Sequence, residues 1–170
     1  MKQLILLIVI AGIVVFCSNE NEYLEIPSSS IRMRVIANSN SEEDQADKYI
    51  VKSFVEEKLY EFIDGLDREE DIMDSLEKNK EEIDAQIESE IKKANLDVDY
   101  SSNLGNNYFP QKEFKGLVYA AGNYDSFVTL GEGEGENWWC VLYPPLCTID
   151  ENKSETEYHS LIKDTILKYN

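Results

Sequence analysis

The chain is poor in the residues on which metal and acid–base chemistry usually rests. It has a single histidine, His159, in 170 residues, and that histidine lies in a charged stretch that reads as helical. Cysteine is nearly as scarce, at three residues. Cys140, Cys147 and His159 make three conceivable zinc ligands, but their spacing matches no familiar zinc motif. A Cys–His nucleophile pair built on Cys140 or Cys147 finds no local support, so no metal and no cofactor is expected. Basic residues are outnumbered, 16 Lys and Arg against 34 Asp and Glu, for a formal net charge of −18. Such a surface repels phosphate backbones and anionic headgroups, which argues against nucleic-acid binding and against a charge-driven hold on a membrane. With so many carboxylates, no single acid–base pair stands out. A phosphate-cradling loop is missing too. Gly131-Glu-Gly-Glu-Gly-Glu136 has suitable glycines, but three glutamates stand where the anion would sit and no helix start follows. In an extended chain Glu132, Glu134 and Glu136 share one face, which suits Ca²⁺ or a basic partner; a flexible glycine-rich loop is the plainer reading.

Long apolar runs are absent with one exception. Lys2 precedes an uncharged stretch from Leu4 to Cys17, shorter than the roughly 20 residues of a comfortable bilayer span. It fits the apolar region of an export signal. Phe16 stands where a small residue favours cleavage, so cutting after Cys17, retention as a short anchor and lipid modification of Cys17 all stay open. Residues 1–17 therefore read as a signal peptide or short membrane anchor. Residues 18–30, with Pro27 and three consecutive serines, read as a linker.

Beyond the linker the pattern predicts one α+β domain over 31–150, with two or three helices packed on a largely antiparallel sheet, and a helical tail over 151–170. Ile31–Ala37 alternates as a strand does. Ser41 followed by Asp44 resembles a capping box, with Glu42, Glu43 and Asp44 at the positive end of the helix dipole. Ala46, Ile50, Phe54, Val55, Leu59, Phe62 and Ile63 define the inner face of that helix, and Gly65 ends it. A second helical stretch runs from Asp67 to about Ala94 on a narrow stripe of Ile72, Leu76, Ile83, Ile87 and Ile91. Asn79 and Lys80 interrupt it, so a kink or two shorter helices is possible; the stripe suits packing on the sheet or seating a partner helix. After Asn95, alternating runs separated by Gly and Asn read as strands.

What is abundant is concentrated. Asn137-Trp-Trp-Cys-Val-Leu-Tyr-Pro-Pro-Leu-Cys147 holds both tryptophans, two of the three cysteines and two of the four prolines. On a strand, Trp138, Cys140 and Leu142 face one way and Trp139, Val141 and Tyr143 the other. Both faces are apolar, so either the strand is covered on both sides or one face is a docking surface. Pro144 and Pro145 forbid an ordinary central strand after it. In an exporting context Cys140 and Cys147 are candidates for a disulfide, with two buried thiols as the alternative. Adjacent tryptophans beside a rigid loop are what a binding hot spot uses. Trp138, Trp139, Tyr143, Pro144 and Pro145 are therefore the candidate partner-binding residues; no catalytic residues are assigned.

The string from Gly131 to Cys147 resembles the hallmark of the stage II sporulation protein R family. Arg34-Val-Ile-Ala-Asn-Ser-Asn-Ser-Glu-Glu-Asp-Gln45, Asn107-Tyr-Phe-Pro110 and Ala121-Gly-Asn-Tyr124 resemble its other parts. Glu136 stands where the family pattern has Lys, and Ala120 where it has Pro. The resemblance implies a signal rather than an enzyme. Such proteins are made in the forespore and exported into the space between forespore and mother cell. There they trigger a membrane-embedded aspartic protease of the mother-cell-side membrane, which cuts the precursor of a sporulation sigma factor. The partner implied is that protease, with membrane contact only through residues 4–17 if uncleaved, and no small-molecule substrate. From the residues alone, a carboxylate-dependent cell-envelope hydrolase and a passive envelope-binding module remain as alternatives.

The apolar run generates a direct test. Residues 1–30 fused to a reporter active only outside the cytoplasm should give signal. Leu7→Asp with Ile8→Asp should abolish it, since each charge in such a run costs about 3 kcal/mol. Reporter activity confined to the cytosol would sink the export reading.

Overall fold

The computed structural model describes residues 24–130, 133–150 and 152–169; the apolar run, the first part of the expected linker, Gly131 and Glu132 lie outside them. The elements in chain order are β1 (Leu24–Glu25), β2 (Ile31–Ile36), α1 (Glu42–Ile63), α2 (Glu69–Lys93), β3 (Ser101–Phe109), β4 (Lys112–Phe114), β5 (Leu117–Tyr119), β6 (Gly122–Leu130), β7 (Asn137–Tyr143), a 3₁₀ turn (Leu146–Thr148) and α3 (Glu155–Tyr169). The architecture is α+β, as the pattern predicts.

β2 sits inside a four-stranded sheet of order β3-β6-β2-β7, antiparallel to β7 and parallel to β6, which in turn is antiparallel to β3. A smaller sheet of order β1-β5-β4 carries the other parallel pairing, between β1 and β5. Alternation along β2 assigns its two faces. Ile31, Met33 and Val35 are fully buried against α1 and α2, while Arg32 and Arg34 face the opposite way. On that second side the small sheet and α3 bring Ile26, Leu117, Tyr158, Ile162 and Ile166 onto Val141 and Leu146.

α1 starts where the sequence says, with the Ser41 hydroxyl accepting from the Asp44 N–H at 3.1 Å and acids filling the first turn. Its inner face is rotated from the expected one. Val51, Val55, Leu59 and Ile63 are buried, while Ile50 is 39% exposed. Apolar residues on both sides of that stripe, Phe54 and Phe62 among them, pack only partly, so periodicity left two settings of the helix open and contact with α2 and the sheet selected one. α2 is one uninterrupted helix of 25 residues. Asn79 does not break it, because its side chain donates back to the Ser75 carbonyl at 2.7 Å. The predicted stripe from Ile72 to Ile91 is buried in full.

α2 is fastened to β3 by Asp84, whose carboxylate accepts from Tyr100 (2.7 Å), Ser102 (2.7 Å) and Lys80 (2.6 Å). Burial pushes this carboxyl upward, but the bonds from Lys80, Ser102 and Tyr100 together outweigh it and hold the pKa below the usual value.

The ordered body is longer at both ends than 31–150. Leu24 and Ile26 donate backbone bonds to Gly116 and Val118, and Ile26 is 1% exposed, so residues 24–30 belong to the packed structure. The helix of the C-terminal tail buries Tyr158, Ile162 and Ile166 against the same core.

Because the folded pKa of Asp84 is depressed, its contribution is complete above the unfolded value near 3.8 and fades as pH falls through the lower folded value. Asp84→Ala should destabilise the protein at neutral pH and flatten its acid unfolding curve below about pH 4. Chemical denaturation across pH measures both; an unchanged acid limb would remove Asp84 from this role.

Candidate partner-binding site

Two segments far apart in sequence make one clamp. Gly135 N donates to Ala37 O (3.0 Å), Glu134 N to Asn38 O (3.3 Å) and Glu136 N to the Asn40 side chain (2.8 Å). Gln45 braces the Asn38–Ser41 turn through Ser39 O (2.9 Å), and the Ser39 hydroxyl bonds Asp44. Lys48, 5% exposed, donates to Gln45 Oε1 (2.6 Å) and Glu136 O (3.2 Å). The backbones approach so closely that a methyl group at Gly135 would overlap the Ser39 carbonyl and the Ala37 side chain. The Gly-Glu repeat therefore serves close backbone approach over Glu134–Glu136, a use that its composition alone did not reveal.

From this clamp β7 runs along the sheet edge, and its tryptophans take opposite faces, as alternation predicts. Trp138 lies on the helix side, with Lys52 Nζ 4.5 Å from its ring centroid. Trp139 lies on the other side, edge-on to Phe109 at 5.3 Å, with Lys112 Nζ 5.2 Å from its ring. Both are half-buried. Past Val141 the expected alternation fails. Arg32 pairs with Val141 but Ile31 with Tyr143, so Leu142 is an extra residue in a β-bulge. Tyr143 consequently packs with the helix-side core rather than with Trp139; its hydroxyl donates to Asp67 O (3.0 Å) and its ring meets Tyr169 at 5.7 Å. Pro144 follows through a cis peptide bond and is buried, and Pro145 leads into the 3₁₀ turn. A disulfide joins Cys140 to Cys147, with Cα atoms 5.5 Å apart. The candidate residues thus divide: Trp138 and Trp139 share a cleft, whereas Tyr143, Pro144 and Pro145 anchor the far end of the strand.

The other distinctive segments meet beneath Trp139. Asn107, Tyr108 and Phe109 pair with Tyr124, Asn123 and Gly122. Phe109 is fully buried and stands edge-on to Tyr124 at 6.1 Å as well as to Trp139. Arg34 lies 4.7 Å from the Phe109 ring centroid and donates to Tyr108 O at 3.3 Å. Sequence reasoning passed over Arg32, Arg34, Tyr49, Phe109 and Lys112. The basic alternation in β2 and the family-like strings that contain Arg34 and Phe109 are the available signals, and neither encodes the packing of these residues around Trp139. Asn137–Cys140 line a surface cleft with Tyr49 on one side and Lys112, Phe114 and Tyr119 on the other. Among the described residues no group of three or more His, Cys, Asp or Glu is placed to hold a metal ion, and no helix is long and apolar enough to cross a membrane.

The clamp predicts that Gly135→Ala costs about 1–3 kcal/mol through overpacking and frees the Glu134 and Glu136 amides for hydrogen exchange. Unchanged stability and protection would show that the two segments do not hold each other.

A family model described as stage II sporulation protein R matches residues 27–153. Stage II sporulation protein R of Bacillus subtilis (strain 168) is 33% identical over 138 residues, covering 81% of this chain. The match spans 62% of that relative's own length. No solved structure matches. The matched range takes in the Asn38–Gln45 clamp, the Phe109–Tyr124 pair and β7 with its disulfide, and on that ground the chain belongs to the stage II sporulation protein R family, a family of sporulation proteins.

Proposed function

We propose that this protein is an exported developmental signal that activates a membrane-embedded aspartic protease, so that the precursor of a sporulation sigma factor is cut. It acts by binding and not by catalysis, in the space between forespore and mother cell, which it reaches through residues 1–17. One observation carries this reading: the segments that resemble the family converge on an aromatic, lysine-rimmed strand edge.

The hydrolase alternative needs two carboxyls with contrasting environments in one cleft. Burial, then Asp125 and Glu70, raises Glu69, and hydrogen bonding lowers Asp84. Both lie on α2, 15 residues apart, which at 1.5 Å per residue is about 22 Å. A glycosidase-type pair sits within about 10 Å, so these two do not form one.

An activator must bind the active state of its receptor more tightly than the inactive one. Moving that equilibrium from about 1:99 to 99:1 takes roughly 5.5 kcal/mol of differential binding. Two hot-spot tryptophans at about 2 kcal/mol or more each supply most of that only where the active state of the receptor alone offers them a pocket.

Deleting the gene should leave the sigma-factor precursor uncut, and the intact gene supplied in trans should restore cutting. Trp139→Ala should lower processing per folded exported molecule about thirtyfold, the equivalent of 2 kcal/mol. Processing that continues without the gene would overturn the reading. A loss that only tracks the amount of folded protein would move the contact away from Trp139.

A further inference from the structure

An open sheet edge invites another strand, and natural proteins blunt such edges with charges, prolines or bulges. The main sheet has two edges, β3 and β7. β3 is rich in Ser and Asn, and Gly105 interrupts it at φ +145°. β7, Asn137-Trp-Trp-Cys-Val-Leu-Tyr143, contains neither a charge nor a proline. Its bulge lies at Leu142, and the disulfide holds the 3₁₀ turn beside that same half. The other half, Asn137 to Cys140, borders the cleft.

The backbone there is oriented for pairing. Ala37 N donates to Glu136 O, so β2 and β7 exchange bonds at Val35 and Trp138, the next pair of that phase. Asn137 and Trp139 fall in the other phase, and their N–H and C=O groups point away from β2. The one charged side chain lining the cleft is a cation, Lys112, in a chain of net charge −18. Lys48 lies 4.8 Å from the Tyr49 ring and Lys112 5.2 Å from the Trp139 ring. Burial lowers the pKa of Lys48 and, although Glu136 opposes this, the nearby charge of Lys112 lowers it further. Lys112 thus faces the groove beside unblunted backbone, with the buried Lys48 close enough to act on it through charge.

We propose that the receptor docks on the Asn137–Cys140 edge of β7 by adding an extended, carboxylate-bearing segment as a further strand. Its backbone bonds Asn137 and Trp139, its acids meet Lys112, and its alternating side chains fall on the two faces that carry Trp138 and Trp139. The inference rests on the signalling reading for the identity of the receptor, but the edge can be tested without it.

The full chain is titrated with a capped octapeptide of alternating Val and Glu, and separately with its Val and Lys twin. The Glu peptide should slow hydrogen exchange at the Asn137 and Trp139 amides about tenfold. It should bind more weakly at high salt, and the Lys peptide should give no protection. Asn137→Pro removes one outward N–H, a change an edge strand tolerates. It should fold with its disulfide intact, lose the peptide protection at Trp139 and lower sigma-factor processing about tenfold. Lys112→Glu, at an exposed position, should abolish binding of the Glu peptide and keeps the test sharp should the proline variant fail to fold. Equal protection by both peptides, or none by either, overturns the proposal. So does full processing by both variants while the wild-type chain also triggers it. A dimer seen by sedimentation that Asn137→Pro dissolves overturns it as well, because the edge then belongs to a second copy. Processing that is independent of the wild-type chain overturns the signalling reading instead and leaves the peptide result standing.

Discussion

Arg32 is a positive charge placed where water does not reach. It is 1% exposed, its Nε donates to Ser30 at 3.3 Å, and its two terminal nitrogens have no hydrogen-bond partner among the described residues. Desolvating an unpaired ion costs several kcal/mol. What offsets that cost is aromatic: the guanidinium lies 3.4 Å from the Tyr124 ring centroid, 5.4 Å from Phe109 and 5.8 Å from Tyr119. Cation–π contacts reach about 2 kcal/mol each when desolvated. Burial lowers the pKa of Arg32, and Tyr124 and Tyr119 act against that fall. The arginine therefore requires β3, β5 and β6 to keep their rings around it, and this requirement fixes Phe109 under Trp139.

The rest of the structure stiffens that arrangement from the other side. α1 and α2 cover the helix-side face with a stripe of Val, Leu and Ile, and Asp84 ties α2 to the start of β3 by two hydrogen bonds, from Tyr100 and Ser102. The clamp between Asn38–Gln45 and Glu134–Glu136 fixes one end of β7, and the disulfide with the Tyr143–Asp67 bond fixes the other. Between two fixed ends, the Trp pair is held in place with little left to order on binding. Preorganisation of this kind raises affinity by lowering the entropy lost in the complex. A surface that binds a partner gains from that rigidity.

Charge is distributed to the same end. Most acids lie on solvated helix faces, where Lys58, Arg68, Lys92 and Lys93 neutralise some of them in exposed ion pairs of little net worth. Arg34, Lys48 and Lys112 instead lie on rings or backbone carbonyls around β7. An overall acidic molecule thus places several cations around β7, and long-range repulsion of anions by the rest of the surface falls away within about a Debye length of 8–10 Å.

The sequence by itself determined whatever depends on neighbours a few residues away. The Ser41 cap, the buried stripe of α2, the opposite faces of Trp138 and Trp139 and the family resemblance were all legible, because capping and periodicity are local. Tertiary structure decided the rest. Whether Ile50 or Val51 turns inward depends on how α1 meets α2. The side taken by Tyr143 depends on a bulge set by the register between β2 and β7. The need for glycine at 135 comes from Ala37 and Ser39, nearly a hundred residues earlier in the chain, and the inclusion of Ile26 comes from β5. That Arg32 is buried, and that β7 is left at an edge, follows from a strand order no local pattern encodes. Long-range register is written in the complementarity of distant surfaces, and those surfaces exist only once the chain has folded.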